Sequence, residues 1–208
     1  MKSRTLIAIT LTLLGLLAIV ALFYKLNNTK SSNLLSKELV CEFPCWQQIT
    51  PQETTFDEAL LKMREMNLVE FSDQTEIEFK INDVSGSVSE SSDGKVGFII
   101  LYVKNQEARL RDVVQIIGDP EKMLIGREIY LSDYCYVYLL FPKNGTVVEL
   151  HLQNRGGNQS CRVNIVSEIR IFRIVLLGHD PYNNPYWNKR PIEDSEYIKW
   201  NGYGTYSK

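Results

Sequence analysis

Residues 134–141 read Tyr134-Cys135-Tyr136-Val137-Tyr138-Leu139-Leu140-Phe141. In a β-strand, successive side chains point to opposite faces. Cys135, Val137, Leu139 and Phe141 therefore share one face, while Tyr134, Tyr136 and Tyr138 share the other. The apolar face requires a cover and is expected to meet helices. The tyrosines then look away from them, and Tyr102 on an earlier strand extends the row. Tyrosine buries much area with few rotors to freeze, so such a face suits contact with another protein. Its plainer role is cross-strand aromatic pairing within the sheet.

Outward from this strand the same patterns recur. Pro142-Lys143-Asn144-Gly145 is a turn into a strand at 146–152. Upstream, residues 76–82 and 84–90 alternate, and 123–131 is a further strand candidate. Residues 96–103 are apolar on both faces, which marks a central strand. Downstream, 154–158 is a loop and 162–177 reads as one long strand. The clearest helix begins at Thr55, where Thr55 and Glu58 make a capping box and Phe56, Ala59, Leu60 and Met63 fall on one face. A second helix covers about 108–117, closed by Gly118 and stopped by Asp119-Pro120. Its Leu110, Val113, Val114 and Ile117 repeat the apolar pattern of the first. The expected fold class is α+β: one antiparallel sheet with two helices packed on one face, built from two helix-then-strands repeats at about 45–104 and 105–178.

Ile49-Thr50-Pro51-Gln52-Glu53-Thr54-Thr55, leading into the capped helix, resembles the start of small modules of the outer-membrane-assembly lipoprotein type. Asp112-Val113-Val114-Gln115-Ile116-Ile117-Gly118-Asp119-Pro120 resembles the way their helix ends. Tandem copies of that unit make the fold of the beta-lactamase inhibitor protein. The resemblance implies helices followed by strands in each copy, and a joined sheet that serves as a concave binding surface.

The N-terminal region carries an address. Residues 5–24 contain no charge, and at ~1.5 Å per helical residue they reach about 30 Å, the thickness of a bilayer's hydrocarbon core. The run is long for a signal peptide and ends in Leu22-Phe23-Tyr24 rather than small residues, so an uncleaved transmembrane signal anchor is expected. Residues 1–4 form a basic cytoplasmic tip, and polar residues 25–40 a flexible tether. The membrane is thus one expected partner, and residues 41–178 become a domain outside the cytoplasm. Glu38-Leu39-Val40 before Cys41 does not make a lipobox.

Cys41, Cys45, Cys135 and Cys161 favour disulfides in that compartment, paired Cys41 with Cys45 and Cys135 with Cys161. A redox site at Cys41 and Cys45 lacks the usual two-residue spacing, and the scattered cysteines do not fit zinc.

Residues 179–208 hold Tyr182, Tyr186, Trp187 and Trp200 among several prolines, with no regular period. These rings are candidates for stacking on sugars; the competing role is to pin an irregular tail onto the domain. No nucleophile elbow, phosphate loop or dinucleotide glycine pattern is present, and His151 and His179 are too few for most histidine sites. His151 is expected to be a satisfied sheet residue. Net charge is −2, with signs mixed along the chain, which excludes a basic stripe for nucleic acid. The expectation is a binding module without cofactor or metal that engages an unidentified extracytoplasmic protein. The alternative is a cell-surface glycan or cell-wall binder, or hydrolase, using the tail.

Overall fold

A computed structural model describes residues 41–81, 84–103, 108–127, 134–153, 161–178 and 197–207. Helix α1 (Phe56–Glu65) opens with the capping box: the Glu58 N–H donates to Thr55 Oγ1 at 3.3 Å and the Thr55 N–H to Glu58 Oε2 at 3.2 Å. It ends in a Schellman motif. Asn67 turns left-handed at φ 56°, its N–H bonds to Arg64 O, and the Leu68 N–H reaches back to Met63 O at 3.0 Å. Helix α2 (Leu110–Ile117) opens with the Arg109 N–H bonded to Asp112 Oδ2 at 3.0 Å and closes at Gly118.

Strands dominate the rest. They are β1 (Val69–Ser72), β2 (Glu76–Ile81), β3 (Val84–Glu90), β4 (Val96–Val103), β5 (Lys122–Arg127), β6 (Tyr134–Phe141), β7 (Thr146–Gln153), β8 (Arg162–Ile165), β9 (Arg173–Leu176), β10 (Ile198–Lys199) and β11 (Gly204–Ser207). Nine make one sheet in the order β1-β2-β3-β4-β9-β7-β6-β5-β10, with antiparallel neighbours throughout. β8 and β11 pair separately.

The sheet separates two apolar clusters. The larger receives Phe56, Ala59 and Met63 from α1 and Leu110 and Val113 from α2, with Ile99, Leu101, Val137, Leu139, Val148 and Ile174 from the strands. The smaller lies on the opposite face and joins Ile100, Leu140, Val147, Val175 and Leu177, flanked by Phe98, Tyr102, Tyr138 and Tyr197. A polar knot fixes one end of the central strands. Gln52, held at φ 68°, donates its side-chain N–H to Leu177 O at 2.9 Å, and the Leu177 N–H bonds to Gly145 O at 2.7 Å. Gly145 is left-handed at φ 52°, and a Cβ there would fall 1.3 Å from Gly178 O, so only glycine fits.

The expected α+β fold class is corrected. The described residues form a mostly antiparallel β structure in which two short helices cover part of one face. The sheet is not a junction of two helix-then-strands units. The chain leaves it after β7, forms β8, returns as β9 between β4 and β7, and then reaches the far edge as β10. The long strand at 162–177 is two strands in different sheets. The Ile169 N–H bonds to Val166 O at 3.1 Å and closes a turn between them, without the glycine or proline that usually announces one. The expected transmembrane helix falls on residues 5–24, outside the described residues, and no helix among the described residues is long and apolar enough to cross a membrane.

The cysteines pair as Cys41 with Cys45 and Cys135 with Cys161. The second bridge ties β6 to the segment entering β8.

Candidate functional site

The site is assembled by register across four adjacent strands. Tyr102 on β4 stands opposite Arg173 on β9; Arg173 stands opposite Glu149 on β7; Glu149 stands opposite Tyr138 on β6. The four residues make one line across the sheet, on the face away from the helices. One register position along, Tyr136 stands opposite His151, and Tyr134 stands opposite Gln153.

Glu149 is the hub. Its carboxylate accepts the Arg173 Nε–H on one oxygen and meets His151 Nε2 at 2.8 Å on the other. The side chains are graded in exposure: Glu149 5%, Arg173 22%, His151 33%. The Tyr102 and Tyr138 hydroxyls lie within the reach of the Arg173 guanidinium and add to the interactions that favour its charge. Burial disfavours its charge, but Glu149 and these hydroxyls hold its pKa above the ordinary value. Burial, reinforced by the Glu149 charge, pushes the Tyr138 hydroxyl up to about 12.

Rings surround this pair. Phe172, just before β9, stacks on His151 at 3.9 Å between centroids and meets Tyr102 edge-on at 6.2 Å. Its backbone is fixed as well, with the Phe172 N–H bonded to Glu149 O at 3.0 Å. Tyr136 and Tyr138 lie 5.1 Å apart. Tyr136 rests on Gly126 of β5, its cross-strand partner, where a Cβ would come within 2.0 Å of the ring. The glycine is a shelf that lets this ring lie flat on the sheet.

Of the residues picked out from sequence, Tyr134, Tyr136 and Tyr138 stand together along β6. Tyr102 is on the same face but three strands away, separated from them by Arg173 on β9 and Glu149 on β7. Among the tail rings, Tyr182, Tyr186 and Trp187 lie outside the described residues. Trp200 is corrected as a sugar-stacking candidate. It is 7% exposed, part of the larger apolar cluster, and lies between Tyr206 and Tyr203 at 6.0 and 5.7 Å, so it offers no open ring face. His151 is hydrogen-bonded and stacked within the sheet.

Glu149, Arg173 and Phe172 are functional candidates that the sequence reading passes over. Their signal is opposite charges in two otherwise apolar runs, Val147-Val148-Glu149-Leu150 and Arg173-Ile174-Val175-Leu176. Among the described residues no cluster of His, Cys, Asp and Glu could hold a metal ion.

Comparison with known proteins yields little. No family model matches the chain, and no curated protein matches it. One solved structure is similar, that of a DUF4309 family protein (YjgB) from Bacillus subtilis subsp. subtilis str. 168. It shares 12% identity over 68% of this chain and 92% of that one, with a TM-score of 0.37, a likeness too slight to carry an argument.

Proposed function

We propose that this chain is a binding module of an oxidising, extracytoplasmic compartment that engages another protein through the sheet face opposite its helices. One observation carries the reading. Two large rings on this face are open to solvent, Tyr134 at 45% and Phe172 at 41%, and they flank a line of side chains locked by a closed ion pair. A surface whose rotamers are already fixed loses little entropy when a partner docks, and aromatic anchors are the residues that dominate such interfaces. Arg173 and Glu149 neutralise each other, so the face does not demand a charged partner. The two disulfides support the compartment.

The test places a photo-activated phenylalanine analogue at position 134 of the full chain and irradiates native cells. A discrete adduct with one protein is expected. Phe172→Ala should weaken its formation by a hot-spot increment of about 2 kcal/mol, beyond the ~0.5–1.5 kcal/mol of folding stability that its ring pairs contribute, which the thermal midpoint reads separately. Absence of an adduct, or one indifferent to Phe172→Ala, sinks the proposal.

A further inference from the structure

The smaller apolar cluster lies on the face that no described helix covers, yet Leu140 and Val147 are 0% exposed, Val175 1% and Ile100 5%. Among the described residues, every member of that cluster belongs to β4, β6, β7 or β9, or is Leu177 or Tyr197. A sheet does not bury its own face; the side chains standing on it need a second layer. The described helices pack on the larger cluster instead, and so do Val163 and Ile165 of β8 and Tyr206 of β11.

The four buried residues form a line. Ile100 stands opposite Val175, Val175 opposite Val147, and Val147 opposite Leu140. Leu140 stands opposite Lys122 and Lys122 opposite Lys199, so the line runs on to β10. It lies two residues along each strand, about 7 Å, from the line of Tyr102, Arg173, Glu149 and Tyr138.

Residues 179–196 lie outside the described residues, and the chain on either side of them meets this line. Leu177, just before them, is 0% exposed within the smaller cluster, and Tyr197, just after them, flanks the same cluster. The chain leaves beside β9 and resumes beside β10, four strands away, a crossing of about 19 Å at about 4.8 Å per strand. Eighteen residues reach about 60 Å when extended, well beyond what the crossing needs. They carry Tyr182, Tyr186, Trp187 and Ile192, enough apolar surface to cover four aliphatic side chains.

We propose that residues 179–196 dock along the line of Ile100, Val175, Val147 and Leu140 and supply its second layer. A second copy of the chain is a poorer occupant, because it would have to push aside a segment whose two flanks are already held at the line. The docked segment borders the partner surface proposed above and leaves its far end open: Tyr134 stands six residues along β6 from Leu140. The docking does not depend on that partner.

The test uses the full chain with a photo-activated phenylalanine analogue at position 187, irradiated at two protein concentrations. An adduct within one molecule is expected, mapped by mass spectrometry to peptides of β4, β9, β7 or β6, in a yield that does not change with concentration. Adducts joining two copies, adducts on α1 or α2, or no adduct at all overturn the proposal. A second variant reads the face itself. Tyr182→Ser, Tyr186→Ser and Trp187→Ser together should raise hydroxyl-radical labelling of Leu140 and Val147 severalfold, while Ile99 and Val148, in the larger cluster, stay protected. Unchanged labelling of Leu140 and Val147, or equal labelling of both faces, also overturns it.

Discussion

Glu149 shows how much one side chain can organise. Its side chain is 5% exposed on a face that no helix among the described residues covers, and it owes that burial to Arg173, His151 and the rings around them. Glu149→Gln keeps the shape but removes the charge that balances Arg173. The expected loss is about 3 kcal/mol of unfolding free energy, measured by urea denaturation, with Glu149→Leu plus Arg173→Met recovering most of it. Tyr138 gives the pair a pH signature. Its hydroxyl ionises near 12 in the folded chain against an ordinary 10, so the folded state keeps a proton that the unfolded state releases between those values. Stability should therefore fall as pH climbs from 10 toward 12, and Tyr138→Phe should flatten that slope in alkaline unfolding followed by circular dichroism. The tyrosines were legible in the sequence because alternation along one strand is local. The Arg173–Glu149 pair was not. It depends on which strands lie side by side, and a chain read in order does not reveal that β9 returns between β4 and β7.

At the scale of elements, strength of pattern decided what could be read. Residues 84–90, 96–103 and 134–141 match β3, β4 and β6 end to end, because each is a full run of alternating or doubly apolar positions. β1, β10 and β11 are too short to show a period, and β11 alternates glycine, threonine and tyrosine without an apolar face. β8 and β9 were fused because the chain between them turns on Val166-Ser167-Glu168-Ile169, which carries no breaker. β8 belongs to a two-stranded sheet, and its firm link to β6 is covalent. Replacing Cys135 and Cys161 together by alanine should cost about 3 kcal/mol in guanidinium unfolding. Hydrogen exchange should accelerate first in β8 and β11, with β2 and β3 unaffected.

Over the whole molecule, the C-terminal segment works as a clasp. β10 completes the β5 edge, Trp200 enters the core, and β11 pairs with β8. The Tyr206 hydroxyl donates to Gly202 O at 2.6 Å and closes the segment on itself. Trp200→Ala should cost about 3–5 kcal/mol, measured by thermal and urea unfolding, and should expose the β5 and β8 amides together. A loss confined to either sheet would show that the clasp does not couple them.

The position of β9 also governs when the protein can become itself. A chain folded only through β7 would hold two partial sheets with bare facing edges, β4 on one and β7 on the other. Residues 173–176 zip them together, and they emerge late. Until then each nascent molecule carries two unpaired templates that neighbouring nascent molecules could extend. Pairing β4 with a strand more than 70 residues later is the kind of long-range contact that slows folding, so assembly is expected to be slowed when unfinished chains are crowded.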